Sequence, residues 1–413
     1  MAPSSFAPLR HRSFRLALVS SFISSTGAWM QSVAMGVYLQ TTTHNPTWLG
    51  LVTMAAWLPS LVGAPVGGAL ADRRHRQRII QLCNVVMALE ATALTVLVVL
   101  GRLSPMATVG LALIEGFASS MSWASWKSLL RDLVEDHEVL AAVSLSAAQF
   151  NMGRVVGPLV AGAVLAVASP AWCFGINAAS FYVMVVAFAA VRSRPRTIEA
   201  TEHRIWAQIR HGAEVAWRTA GTRSPIISIA VVAFLASPFI AFIPTMAIEI
   251  FHRGSTGTSL LVTSQGLGAI GAAIILPPLA RRSSRLYMLK VSTAVMTLSL
   301  ILYGLAPSLG LSVFAMFVLG AAYFGCLVSL DSTTQVLAPL SERSRILALY
   351  SMSLSFAYPV GAYLQSFLVR DFGLRQVTVA SALLLLVIGL LAAWLRPGFI
   401  ASMDEPEAGK LNT

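Results

Sequence analysis

Three ionisable residues interrupt long apolar stretches of the chain: Glu90, Glu115 and Arg154. A charge at the centre of a membrane helix costs roughly 3 kcal/mol, so such residues are functional candidates by default. Glu115 carries the clearest pattern. Ser119, Ser122, Trp123 and Trp126 follow it at helical spacing and build one polar–aromatic face. Hydrocarbon favours the neutral acid, and contact with water lets the group ionise, which is the chemistry of a proton carrier. Arg154 offers either the opposite charge that makes Glu115 tolerable or a fork for an anion. A static ion pair is the alternative for both. Glu90 reads as a group satisfied between helices. The chain contains no G-x4-G-K-[ST], H-E-x-x-H or G-x-S-x-G pattern, so no ATP hydrolysis, metal site, cofactor or catalytic residue is expected, and the protein is not expected to be an enzyme.

These residues need elements that suit lipid. Of 413 residues, 56% are hydrophobic and only 11% charged, with a mean hydropathy of +0.73; a soluble domain carries about 25% charged residues. The net charge of +12 sits in short clusters between apolar runs, which argues against a nucleic-acid partner. Cys83, Cys173 and Cys326 lie inside those runs and behave as small hydrophobes. The apolar run after Arg10, Arg12 and Arg15 is too long for a signal-peptide core and reads as a retained first span.

Reading from breaker to breaker predicts twelve transmembrane helices, over 14–39, 46–70, 79–100, 105–126, 141–167, 171–191, 225–249, 258–280, 286–305, 309–331, 345–368 and 376–395. The fold class is an all-α polytopic membrane protein. Its organisation is an N-terminal six-helix half (1–191), a cytoplasmic linker (192–224), a C-terminal six-helix half (225–396) and a tail (397–413). With both termini in the cytoplasm, 24 of the 29 Lys and Arg residues lie inside and 4 outside, as the positive-inside rule requires. In the linker, Trp206, Ile209, Ala213 and Trp217 form a stripe that suits an amphipathic helix on the inner membrane face; a solvated linker is the alternative. The halves look like a repeat. At an offset of 204, Asn151–Gly157 overlays Ser355–Gly361, and Lys127 falls opposite Asp331.

After the second span comes Gly68-Ala-Leu-Ala-Asp72-Arg73-Arg74-His75-Arg76-Gln77-Arg78. It resembles the signature loop of the major facilitator superfamily, G-x-L-A-D-R-x-G-R-K/R, with His75 and Gln77 as departures. In span five, Gly153-Arg-Val-Val-Gly157-Pro158-Leu-Val-Ala-Gly162 resembles the second half of that superfamily's antiporter motif, with Ser144 in place of an earlier glycine. Together with Trp29-Met30-Gln31 and the loop Leu340–Arg345, the chain resembles the bacterial efflux branch to which the enterobactin exporter and related drug-efflux permeases belong, over roughly residues 10–396.

The resemblance implies a conformational latch at Gly68, Asp72, Arg73 and Arg76, against which stands a loop that is only a positive topology signal. Gly153, Gly157, Pro158 and Gly162 give span five a small-residue face and a kink, read either as a bend that moves or as close packing. The resemblance also places spans 1, 4, 7 and 10 around a cavity, which nominates Trp29, Gln31, Ser119, Trp123, Phe234, Phe242, Phe317 and Phe324 as its lining. The phenylalanine stripes serve equally well as packing or lipid-facing surface. The span-four arginine of the superfamily's proton relay has no counterpart here: Ala112, Glu115 and Gly116 stand in that stretch.

The expected protein is a secondary active exporter of a small amphipathic compound (a drug, siderophore or natural product), working by proton antiport with alternating access. The expected setting is a monomer in a bacterial inner membrane, with substrate, protons and the bilayer as partners. An importer or lipid flippase of the same fold is the alternative, as is a non-transporting sensor or assembly partner, which would tolerate Glu115→Gln and Asp72→Asn. Lys127 and Asp331 are expected to pair as a cytoplasmic gate when the protein faces outward, with two unrelated surface charges as the alternative. Reversing either charge alone should impair transport, and swapping both should restore part of it; a double swap without rescue removes the gate.

Overall fold

The computed structural model describes residues 6–73, 76–192, 214, 217, 220–280, 283–339 and 342–403, without the side chains of Asp72, Arg73, Ala220, Ala280, Ser344 and Ile400. The described chain is helical. Span one is α1 (Arg12–Thr43); span two is α2 (Pro46–Trp57) with α3 (Ser60–Arg73), parted at Leu58-Pro59. Spans three to six are α4 (Arg76–Val99), α5 (Pro105–Leu133), α6 (Val139–Val167) and α7 (Pro170–Ala190). Then follow α8 (Ala220–Leu235), α9 (Gly254–Ala280), α10 (Arg285–Leu305), α11 (Leu309–Leu337), α12 (Arg343–Phe372), α13 (Leu374–Leu395) and a last turn, α14 (Pro397–Ala401).

Local chemistry sets the boundaries. The Asn45 side chain accepts from the Thr47 amide and Ser104 from that of Ala107, each just before a proline at the first helical position. Ser284 and Ser308 cap α10 and α11 in the same way. Gly373, at φ +88°, is the single residue between α12 and α13, a conformation that favours glycine.

Ten of the described helical segments are long and apolar enough to cross a membrane. The remaining long helices, α1 with 32 residues and α5 with 29, complete the twelve. Their hydropathy is diluted by Ser20, Ser21, Ser24, Ser25, Thr26 and Gln31 in one, and by Glu115, Ser119, Ser120, Ser122, Ser125 and Lys127 in the other. These are spans one and four, which the resemblance assigned to a cavity. Both α5 and α11 run six residues past Lys127 and Asp331. Both charges are therefore followed by more than a turn of helix, and the polar residues after each of them suit a helix leaving the membrane.

Contacts divide the chain into two units. One holds residues 1–201 with 252–263, the other 202–251 with 264–413. The packing inside the two units matches. In the first, α4 packs on α5 and α7, and α1 on α6; in the second, α10 packs on α11 and α13, and α8 on α12. Glycines make the close approaches, as small residues do where lipid gives helices no hydrophobic reason to associate. A Cβ on Gly116 would collide with the Ala56 backbone, and one on Gly320 with the Gln265 backbone. A Cβ on Gly157 would stand 2.6 Å from the Trp29 Cβ, and one on Gly361 would meet the Phe234 backbone. Gly116 and Gly320 are 204 positions apart, as are Gly157 and Gly361. The repeat is thus written in backbone contacts. The linker residues Trp206, Ile209 and Ala213 lie outside the described residues; Trp217 is helical and exposed.

Span seven departs from the continuous helix expected over 225–249. After α8 come a 3-10 turn at Ser237–Ile240, a helical turn at Ile243–Thr245 and a π turn at Met246–Ile250. Pro238 is the cause, because it has no amide hydrogen to give the Phe234 carbonyl four residues back. Gln365 of α12 supplies the missing donor. Its Nε2 donates to Phe234 O at 2.8 Å and to Leu235 O at 3.2 Å. Beside the break lies a small cavity lined by Leu235, Phe239, Phe242, Gln365, Thr378 and Ser381.

Leaving two buried carbonyls without a donor costs about 1–3 kcal/mol. Gln365→Leu should therefore lower the thermal unfolding midpoint in detergent, and adding Pro238→Ala should recover part of the loss by restoring a backbone donor. Equal midpoints for Gln365→Leu and wild type would refute this account.

Candidate functional site

The helix pair α4–α5 brings the two membrane carboxyls together. Glu90 lies nine residues before the end of α4 and Glu115 ten after the start of α5. At 1.5 Å per residue that is about 14 and 15 Å of rise from the same side, so antiparallel packing sets them at one depth. The two interact electrostatically. Glu90 is buried, 3% exposed, and Gln31 of α1 donates to its Oε2 at 3.2 Å. Asn177 of α7 donates in turn to Gln31 Oε1 at 2.8 Å, and the Ser180 hydroxyl donates to Asn177 Oδ1 at 3.1 Å. Gly27 of α1 lies against Asn177 and Ser180, where a side chain would collide with both. Glu115 is half-buried. Among the described residues, no Lys or Arg pairs with either carboxyl.

Arg154, expected as a counter-charge of Glu115 or a fork for an anion, lies over the indole of Trp29, its Cζ 5.4 Å from the ring centroid. Trp29 meets Phe150 at 6.2 Å, Phe150 meets Trp123 at 5.1 Å, and the Lys127 ammonium lies 5.4 Å over Trp123. Three helices contribute to this row. Phe150 and Arg154 are four residues apart on α6, and Trp123 and Lys127 four apart on α5, so each pair shares a helix face. Gly153 and Gly157 seat α6 against Ser25 and Trp29 of α1. The other motif glycine, Gly162, faces Ser259 in the first turns of α9, and Pro158 is buried within α6. Ser119 is half-buried and donates to its own helix at Gly116 O.

In the signature loop the described contacts are those of Arg76. Arg76 is buried and donates to Asp132 Oδ2 at 2.6 Å, to Ser128 O at 3.4 Å and to Ala71 O at 3.3 Å. It thereby ties the start of α4 to the end of α5. The side chains of Asp72 and Arg73 lie outside the described residues. Gly68 has nothing within 4 Å of where a Cβ would stand; the close approach belongs to Gly67, against the Met121 backbone. Successive residues face about 100° apart on a helix, so only one of two adjacent glycines can meet the neighbouring helix.

In the second unit, Phe242 is fully buried, Phe234 and Phe324 are half-buried, and Phe317 is 43% exposed. Asp331 accepts from Gln335 Nε2 at 2.7 Å. The sequence reading overlooked Asp132, Asn177, Phe150 and Gln365. Asn177 had a signal, since it and Ser180 are the polar residues in an otherwise apolar span six. Phe150 had one too, four residues before Arg154. Asp132 looked like ordinary surface charge beside Arg131, and nothing local marks Gln365.

The family model described as transmembrane secretion effector matches residues 3–407 of this chain. Two curated relatives, the enterobactin exporters EntS of Citrobacter koseri and Shigella flexneri, are each 26% identical, over 393 and 397 residues, with 92% of this chain and 91% of theirs covered. Among solved structures, the nucleoside transporter NupG is similar with a TM-score of 0.75 at 14% identity, covering 95% of this chain and 100% of that one. A bacterial homologue of the iron transporter ferroportin, in an inward-facing state, is similar with a TM-score of 0.72 at 15% identity, covering 95% and 99%. The last two likenesses are of fold.

Removing one partner of a buried ion pair strands the other charge, at about 3–5 kcal/mol. Arg76→Gln should destabilise the protein by that order in chemical unfolding, and adding Asp132→Asn should return most of it. A single variant as stable as wild type would mean the pair contributes no structure.

Proposed function

Since the chain belongs to the transmembrane secretion effector family of the major facilitator superfamily, and is thus a multi-pass membrane transporter, we propose that it exports a small amphipathic compound in exchange for protons. The drug, siderophore or natural product would leave by alternating access through a monomer in a bacterial inner membrane, with both termini cytoplasmic. The 26%-identical relatives named as exporters support the direction, and the bias of Lys and Arg supports the orientation.

The observation that carries the proton is the Glu90–Glu115 pair. Two carboxyls at one depth of the membrane, neither of them paired with a Lys or Arg among the described residues, are held more cheaply with one proton than as two charges. Gln31 fixes Glu90 through a donated hydrogen bond, and Asn177 holds Gln31 in the orientation that presents its amide nitrogen. Glu90 is enclosed, whereas Glu115 is half-buried on the face that continues through Ser119 and Trp123. In this reading Glu115, on the less enclosed face, is the member that exchanges the proton with water. It takes the proton when the face opens outward and releases it when the face opens to the cytoplasm. Trp29, Ser119 and Trp123 offer the substrate an aromatic surface with a few polar groups, the usual composition of a small-molecule site. Asp72 and Arg73, with Gly153, Gly157, Pro158 and Gly162, belong to the conformational part of the cycle.

The test is accumulation of a panel of amphipathic compounds in cells stripped of their own exporters. Wild type should lower accumulation, and a protonophore should abolish the difference. Glu115→Gln should abolish it as well, while Glu90→Gln should reduce it at least tenfold. Loss with the protonophore but not with Glu115→Gln would keep proton-driven export and move the carrier elsewhere; accumulation raised by wild type would replace export with import.

A further inference from the structure

The row Arg154–Trp29–Phe150–Trp123–Lys127 is more than packing. Three rings from three helices stand in sequence with centroids 6.2 and 5.1 Å apart, and a cation covers each end ring at 5.4 Å. Aromatic contact alone does not require a charge at both ends of the series. The row is also open at one end: Trp123 is 42% exposed and Lys127 is exposed, while Phe150, Trp29 and Arg154 are half-buried. Glycine contacts at 153 and 157 fix α6 against α1, so the inner part of the row is held by backbone and does not depend on its own side chains for position.

We propose that this row is a substrate subsite for aromatic anions: a planar ring carrying a carboxylate, sulfonate or phenolate. This rests on the reading of the protein as an exporter of amphipathic compounds and narrows the substrate class. The ring of the ligand takes the place of the Lys127 ammonium on the open face of Trp123, and the ammonium swings to the ligand's acidic group. An exposed cation–π contact is weak and is easily exchanged for a charge-assisted hydrogen bond. Among the described residues Lys127 has no acidic partner to compete for it. Arg154 covers the ring at the inner end. A cationic aromatic compound finds the same rings already covered by like charge, so the row selects against it. The two carboxyls at Glu90 and Glu115 lie outside the row, which leaves the proton and the anion separate places.

The test is equilibrium binding to the purified full chain in lipid nanodiscs, with three probes of one ring size: 2-naphthoate, 2-naphthylmethanol and 2-naphthylmethylammonium. Wild type should bind the anion at least tenfold more tightly than the cation, with the neutral alcohol between, and added salt should narrow the spread. Lys127→Gln should weaken 2-naphthoate about tenfold and leave the alcohol bound at least as tightly as before, since the ammonium no longer covers the Trp123 ring. Lys127→Glu should invert the preference towards the cation. Trp123→Leu should weaken all three. Lys127 is exposed, so its variants should keep the wild-type unfolding midpoint. Equal or tighter binding of the cation by wild type, no binding of 2-naphthoate, or an unchanged preference in Lys127→Glu would each overturn the proposal. Binding is measured without transport, so the two readings fail separately. Anion selectivity with no proton-dependent efflux would remove the exporter and keep the subsite. Efflux of cationic compounds with no anion selectivity would do the reverse.

Discussion

Hydrocarbon supplies no hydrogen-bond partners, and most of this structure follows from that. A backbone carbonyl or a side-chain amide inside the membrane must find its complement within the chain. Helices meet the requirement for the backbone, which is why every span is helical and why caps such as Asn45 and Ser104 appear where helices begin. Exceptions are met individually. Where Pro238 removes a donor, a glutamine from another helix reaches the carbonyl it leaves. Where Glu90 enters α4, Gln31 and Asn177 close a polar chain around it. Many hydroxyls are satisfied more simply, by turning back on a carbonyl of their own helix, as Ser20, Thr92 and Ser119 do.

The second requirement is proximity. Apolar side chains gain little by leaving lipid for another helix, so association depends on contact area and on how closely backbones approach. Glycine sets that distance here, and it does so at corresponding places in both units. The polar spans α1 and α5 are among those seated by glycine contacts, α1 on Gly153 and Gly157 of α6 and α5 through its own Gly116. Close backbone packing thus accompanies the residues that must be positioned accurately. The aromatic row and the carboxyl pair both depend on this frame.

Much of the fold was legible because lipid imposes coarse rules. Span count, breaker positions and charge bias are read one residue at a time, and Gly157 and Gly361 of the repeat show in the offset of 204, whereas the pair Gly116 and Gly320 shows only through its contacts. The site was legible only in part. Glu115 and Arg154 stood out as charges in apolar sequence, but which neighbours they meet depends on helix rotation. A rotation of about 100° separates Gly67 from Gly68 and decides which of them touches α5. Arg76 was recognised as part of a motif, yet its partner Asp132 lies 56 residues away and carries no local mark. Gln365 was invisible for the same reason. Its role exists only because a proline more than a hundred residues earlier opens a gap.

That last pairing has an evolutionary consequence. Pro238 without Gln365 leaves the Phe234 carbonyl bare, and Gln365 without Pro238 buries an amide that the helix no longer needs. Either residue alone is the worse sequence, so the two are entrenched. A lineage that acquired both cannot easily lose one, and its seventh span is committed to being an interrupted helix. Drift at the surface of the protein can continue freely while this interruption is inherited as a unit.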